Sequence, residues 1–300
     1  MNGALTLENT NASGGVMHPP FHFDYLDVKY GIRNAHAFQY EGFSFIAITL
    51  PLVELLWELS NRLSTSQHVL NVLGLNSPNL RPEALSALLF QLQLTFLVSH
   101  EYTHHVHQHC GNDVDGLPML WNEFKRDDNV GGIERQAQEL DADAYAMYLV
   151  FSNFIRGAAR DNSLAQVGQK DGTRIEGDEL LLKCFFLGIT SLFCALWPED
   201  IEAAAATQLD HPIAPVRIEY AIRVAQMWCD QNHSVPQSWF GAERFRELFL
   251  AAMQSVGGTT REAWEGHISF LRSEAGTQYD QKLLQRFEAV RKGALQAVSA

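Results

Sequence analysis

The sequence predicts a mainly α-helical α+β fold with one small β-sheet, and three observations carry that expectation. From Pro82 onward the apolar residues recur with helical period in seven segments. Before them, Phe21 to Tyr30 alternates as a strand does, and Ala35 to Thr49 is rich in Phe and Ile. A chain of 300 residues, 46% hydrophobic and 19% charged, can bury a substantial core without cross-links.

Taken in order, residues 1–20 are rich in Asn, Gly, Ser and Thr and read as a flexible lead-in ending at Pro19 and Pro20. They lack the basic start and apolar centre of a signal peptide, so secretion is not expected. Phe21 to Tyr30 reads as a strand. Ala35 to Thr49, interrupted at Glu41 and Gly42, reads as a hairpin of two short strands. Pro51 ends the second strand or opens the next helix, Leu52 to Leu63. The helical segments that follow are Glu83 to His109, Glu134 to Phe154, Glu179 to Trp197, Pro215 to Cys229, Ala242 to Val256, Arg261 to Arg272 and Gln278 to Val298. Between them, Gly111 to Gly132 and Gly157 to Gly177 are rich in Gly, Asp and Asn and read as long functional or mobile loops. No internal repeat is visible.

Charge narrows the partners. A formal net charge of -13 and a pI near 5.3 lack the clustered Lys and Arg that neutralise phosphates, so no nucleic acid is expected, and anionic membranes are disfavoured for the same reason. The longest uncharged apolar stretch, Cys184 to Trp197, has 14 residues. Spanning a bilayer takes about 20, so it reads as a buried helix and no membrane insertion is expected. Cys110, Cys184, Cys194 and Cys229 are scattered, which suits a reduced cytoplasm better than a disulfide framework.

The chemistry concentrates in His100-Glu101-Tyr102-Thr103-His104. Residues four apart share a helix face, so two imidazoles can converge on one ion while Glu101 reaches a water on it. A metzincin continuation needs Gly at 107 and His at 110, but His and Cys stand there. A gluzincin continuation needs a Glu on a following helix, and Glu139-Leu140-Asp141-Ala142-Asp143 supplies one. Expected zinc ligands are therefore His100, His104 and Glu139. Asp143, one turn after Glu139, is expected to hold the other ring nitrogen of His100. Asp141, about 200° around the helix from Glu139, is expected to face solvent. Of the remaining histidines, His107 is expected to cap or pack the helix end, and His105 and His109 to make solvent or loop contacts.

These residues resemble the zinc peptidases typified by the CAAX prenyl protease and the heat-shock protease HtpX. Besides the H-E-x-x-H, Asn34-Ala35-His36-Ala37 before Gly42 and Phe45-Ile46-Ala47-Ile48 is similar to that family's hairpin. Glu139-x-x-Ala142-Asp143 matches its third-ligand segment, and His211-Pro212 with Arg217-Ile218 looks like its downstream His-Pro segment. The likeness covers roughly residues 30 to 225 and implies a gluzincin fold with an edge strand open to an extended substrate. It also implies that His211 donates to a developing oxyanion and that Arg217 orders that segment or faces the cleft. Smaller cytoplasmic gluzincins that cut regulators, and the phage-exclusion peptidase type, share the H-E-x-x-H and a downstream Glu.

The expectation is a peptidase domain over residues 21–230, with a helical extension, 231–300, packed on it. One zinc ion would activate water, Glu101 would act as general base with His211 assisting, and the substrate would be a protein or peptide. The alternatives are a highly specific regulatory or phage-defence type protease, and a non-catalytic interaction protein stabilised by zinc.

Overall fold

The structure, a computed structural model, describes residues 21–27, 32–40, 43–75, 81–110, 132–169, 172–196, 203–256 and 261–299. The expected lead-in and the loop from Gly111 lie outside the described residues, apart from Gly132 at its end. Strands β1 (Phe21–Leu26), β2 (Ala35–Tyr40) and β3 (Phe43–Thr49) form one sheet in the order β1-β3-β2. β1 runs parallel to β3 and β2 antiparallel to it. The most apolar strand takes the centre: Ile46 and Ile48, two apart and so on one face, are fully buried. On the other face Phe45 stacks on Phe38 of β2 and on His22 of β1, each directly opposite it, and such cross-strand pairs fix register.

Helix α1 (Leu50–Thr65) grows straight out of β3, with Pro51 in its first turn, where the missing N–H is no loss. The Thr49 hydroxyl accepts from the Asn34 N–H and ties the start of β2 to that junction. A short helix not expected from the sequence follows, α2 (Gln67–Leu73), opened by the Ser66 hydroxyl and closed by Gly74 in the left-handed region at φ 72. Then come α3 (Pro82–Val106), α4 (Gly132–Phe154), α5 (Ala159–Gln166), α6 (Arg174–Leu196), α7 (Ala214–Asn232), α8 (Ala242–Val256), α9 (Arg261–Leu271) and α10 (Glu274–Ser299). The sequence reads 157–177 as a loop, but α5 fills part of it. Arg160 pins α5 to the start of α6 by donating to the Asp178 carboxylate and the Arg174 carbonyl.

The main core joins β3, α1, α3, α4, α6, α7 and α8, and a second cluster joins the first half of α4 and the start of α7 to α10. Both α3 and α6 are long and apolar enough to cross a membrane, and α6 extends well beyond the 14-residue stretch read from sequence. In the fold, 56% and 78% of their most apolar windows lie buried inside the chain. Gln93 of α3 cross-ties them: it donates to the Gly188 carbonyl and the Ser191 hydroxyl and accepts from Ser60 of α1.

The start of α4 anchors the segment that leads into α7. A side chain at Gly132 would stand 2.7 Å from the Thr207 carbonyl oxygen, so only glycine permits that approach. Gln136 donates to the carbonyls of Ala206 and Leu209 and accepts from Tyr279 of α10. Arg135 pairs with Asp210. The chain is thereby held just before His211.

Candidate metal centre

Helices α3 and α4 lie against each other, so the end of α3 faces the middle of α4. His100 Nε2 and His104 Nε2 approach to 3.2 Å. Glu139 of α4 reaches both, with Oε2 at 3.1 Å from His100 Nε2 and Oε1 at 3.4 Å from His104 Nε2. These three side chains form a group that could hold a metal ion.

On the His100 side, Nδ1 lies 2.8 Å from Asp143 Oδ1. Arg217 of α7 donates to both Asp143 oxygens, at 2.7 and 2.8 Å, and its guanidinium lies over the Phe193 ring. The fork geometry fixes the carboxylate, which in turn fixes the imidazole. Burial alone would lower the His100 pKa, yet Glu139 and Asp143 outweigh it and raise it to about 10. Burial would likewise raise Glu139 and Asp143, but His211, His100 and His104 hold Glu139 well below the ordinary carboxylate range, and Arg217 with His100 lowers Asp143. The field between the two helices favours a positive charge.

On the His104 side the structure corrects the sequence reading. α3 stops at Val106, three residues short of the expected His109. Gln108 sits in the left-handed region at φ 59. The His109 N–H bonds back to the His104 carbonyl and the Gln108 N–H to the His105 carbonyl, the paired bonds of a Schellman ending. That reversal lays the His109 ring beside His104, with their Nδ1 atoms 3.1 Å apart. Asp141 does not face solvent: it is 2% exposed, with Oδ2 at 2.5 Å from His107 Nδ1 and 3.3 Å from His109 Nε2. α4 is covered on that flank too, by the end of α3. Burial would raise the Asp141 pKa, but His107 and His109 lower it to about 2, while burial lowers that of His109. His105 is also buried, bonded through Nε2 to the Phe45 carbonyl of β3. His107, His109 and Asp141 form a second group of metal-capable side chains. Sequence reasoning passes it over because the usual left-handed residue, Gly, is absent at 108; the His-x-His at 107 and 109 is the available signal.

A cavity of ≈ 400 Å³ opens beside the first group. Its wall includes His100, Glu101, Glu139, His211 and Arg217, together with Arg33, Asn34 and Ala35 at the start of β2. Apolar cover comes from Phe96, Leu192, Phe193 and Leu196. His211 Nδ1 lies 2.8 Å from Glu139 Oε2, and 61% of its side chain is open. The Glu139 charge beside it raises the His211 pKa.

Comparison with known proteins places this geometry in context. Neither the search of curated proteins nor that of solved structures returns a match. A family model described as Peptidase U49 matches residues 75–236, a range that contains the H-E-x-x-H, Glu139, Asp143, His211 and Arg217, and leaves out the hairpin that contributed to the CAAX protease and HtpX resemblance. The match takes in more than half of the chain, which therefore belongs to the Peptidase U49 family.

Proposed function

We propose that the chain is a zinc-dependent endopeptidase in which His100, His104 and Glu139 hold the metal and Glu101 is the general base. The observation that carries the reading is the convergence of two imidazole Nε2 atoms and a carboxylate at 3.1 to 3.4 Å beside an open cavity whose wall includes His100 and Glu139. Both Nδ1 atoms already face other partners, which leaves the Nε2 lone pairs turned toward the carboxylate. Such donors are stable together around a positive charge, and two nitrogens with one oxygen suit zinc with one position left open.

Zinc held there would polarise the scissile carbonyl and bring the pKa of its water to about 7. Glu101, on the cavity wall, takes a proton from the attacking water and passes it to the leaving amide nitrogen. His211, also lining the cavity and anchored to Glu139 through Nδ1, donates to the oxyanion. Asp143 and Arg217 keep the His100 ring in place.

The substrate is a protein or peptide. By the alternation of an antiparallel ladder in which Asn34 pairs with Thr49, the N–H and C=O groups of Ala35, Ala37 and Gln39 turn to the outer side of β2. The Ala37 carbonyl there accepts from the Cys110 thiol, so an extended substrate can pair with that edge at Ala35, on the cavity wall, and lay an apolar side chain against Phe96, Phe193 and Leu196. Cys184, Cys194 and Cys229 are buried and scattered along the chain, which supports a reducing compartment and with it a cytoplasmic location.

Glu101→Gln is expected to keep zinc and lose hydrolysis, whereas His104→Ala loses both. Metal analysis alongside a peptide-cleavage assay checks this, and undiminished cleavage by the Glu101→Gln variant would refute the mechanism.

A further inference from the structure

We infer that His104 is oriented by a contact chain running through His109 to Asp141, and that the group formed by His107, His109 and Asp141 is this support rather than a second metal site. The inference rests on the zinc reading of His100, His104 and Glu139.

Proton positions decide between the two roles. If His104 binds metal through Nε2, its Nδ1 carries the ring proton and must donate it. The atom facing it at 3.1 Å is His109 Nδ1, which then has to be the acceptor. A neutral His109 that accepts at Nδ1 carries its proton on Nε2. That Nε2 is buried, without a full hydrogen bond, and the charged oxygen nearest it is Asp141 Oδ2 at 3.3 Å. Asp141 Oδ2 is further held by His107 Nδ1 at 2.5 Å. In this series the His104 Nδ1 proton meets the His109 Nδ1 lone pair, and the His109 Nε2 proton stands beside the Asp141 carboxylate at 3.3 Å, close to it though outside hydrogen-bond geometry.

A metal on His109 Nε2 reverses the assignment. His109 would carry its proton on Nδ1, directly against the Nδ1 proton of a metal-bound His104, with both donors at 3.1 Å and no acceptor between them. Both groups therefore cannot hold ions at once in this arrangement. The backbone supports the same conclusion, because the Schellman ending brings its last residue, His109, onto the third-last residue of the helix, His104. That contact is usually apolar; here it joins two imidazoles.

His109 and Asp141 are thus positioning residues, acting on the metal through His104. The test measures zinc affinity and stoichiometry by competitive chelator titration, with the d–d spectrum of the cobalt-substituted protein as a geometric readout. His109→Phe is expected to weaken zinc binding by roughly 10- to 100-fold and to shift the cobalt spectrum. His109→Gln, whose amide oxygen can accept from His104 Nδ1, should recover most of that loss. Melting temperatures of the metal-free proteins separate lost positioning from lost folding; if the Phe variant does not fold, the comparison of His109→Gln with His109→Leu replaces it. Wild type should bind one zinc, and His107→Ala should still bind one. Wild-type affinity in the Phe or Leu variant, or two ions in wild type falling to one in His107→Ala, would overturn the inference. Undiminished zinc binding by His104→Ala would instead sink the underlying zinc reading, so the two failures are distinct.

Discussion

His100 and His104 stand one turn apart on α3, yet the ring nitrogens they turn away from Glu139 meet different partners. His100 meets a carboxylate directly, Asp143, which is locked by the bidentate fork of Arg217 from a third helix. His104 meets another imidazole, His109, with the carboxylate one step further away. Both carboxylates come from α4, two and four residues after the same Glu139. The first side is built from three helices, and its charges are permanent; the second is built from a chain reversal, and two of its three members can lose a proton. Similar residue types can therefore serve one site by rigid charge pairing or by tautomer selection.

The most severe test of this comparison removes the ligands themselves. His100→Ala and His104→Ala should each abolish tight zinc binding and peptide cleavage, whatever stands behind the ring. A variant that retains zinc, measured by metal analysis, would break the equivalence of the two histidines. Next in size, Asp143→Asn leaves the buried Arg217 guanidinium without its charge partner and should destabilise the fold by about 3 kcal/mol in urea unfolding. Asp141→Asn should cost about 1 kcal/mol, because its histidine partners can become neutral. Equal losses would contradict the distinction between the sides.

The pH dependence of the metal-free protein should separate them further. The His100 pKa is raised from 6.5 to about 10, so its stabilisation is fully present below 6.5 and is lost as pH rises through 10. The Asp141 pKa is lowered from 3.8 to about 2, so its stabilisation is present above 3.8 and is lost as pH falls through 2. Metal-free protein should thus lose stability toward pH 10, while zinc, by displacing the His100 proton, removes that dependence. Thermal unfolding across pH with and without zinc checks both signs. The smallest effect is expected from Gln108→Gly, which relieves a left-handed backbone and should stabilise by about 1 kcal/mol, read as a modest rise in Tm.

The same contrast explains what is legible in the sequence. The i, i+4 spacings of His100 with His104 and of Glu139 with Asp143 place each pair on one helix face from the sequence alone. The strand alternation and the long helices are visible for the same periodic reason. What periodicity cannot reveal is a helix covered on two flanks, so Asp141 reads as solvent-facing although it is buried. Nor can it reveal the turn at Gln108, where the residue usually required for a left-handed backbone is missing. Helices α2 and α5 escape it because they are only 7 and 8 residues long, and are held by a serine cap and by Arg160 rather than by an apolar stripe.

The most direct measurement is anomalous scattering at the zinc edge from crystals of the purified protein. The account predicts one peak per chain, between His100 Nε2, His104 Nε2 and the Glu139 carboxylate. A peak at His107, His109 and Asp141, or zinc-loaded protein with no peak at the first group, would contradict it.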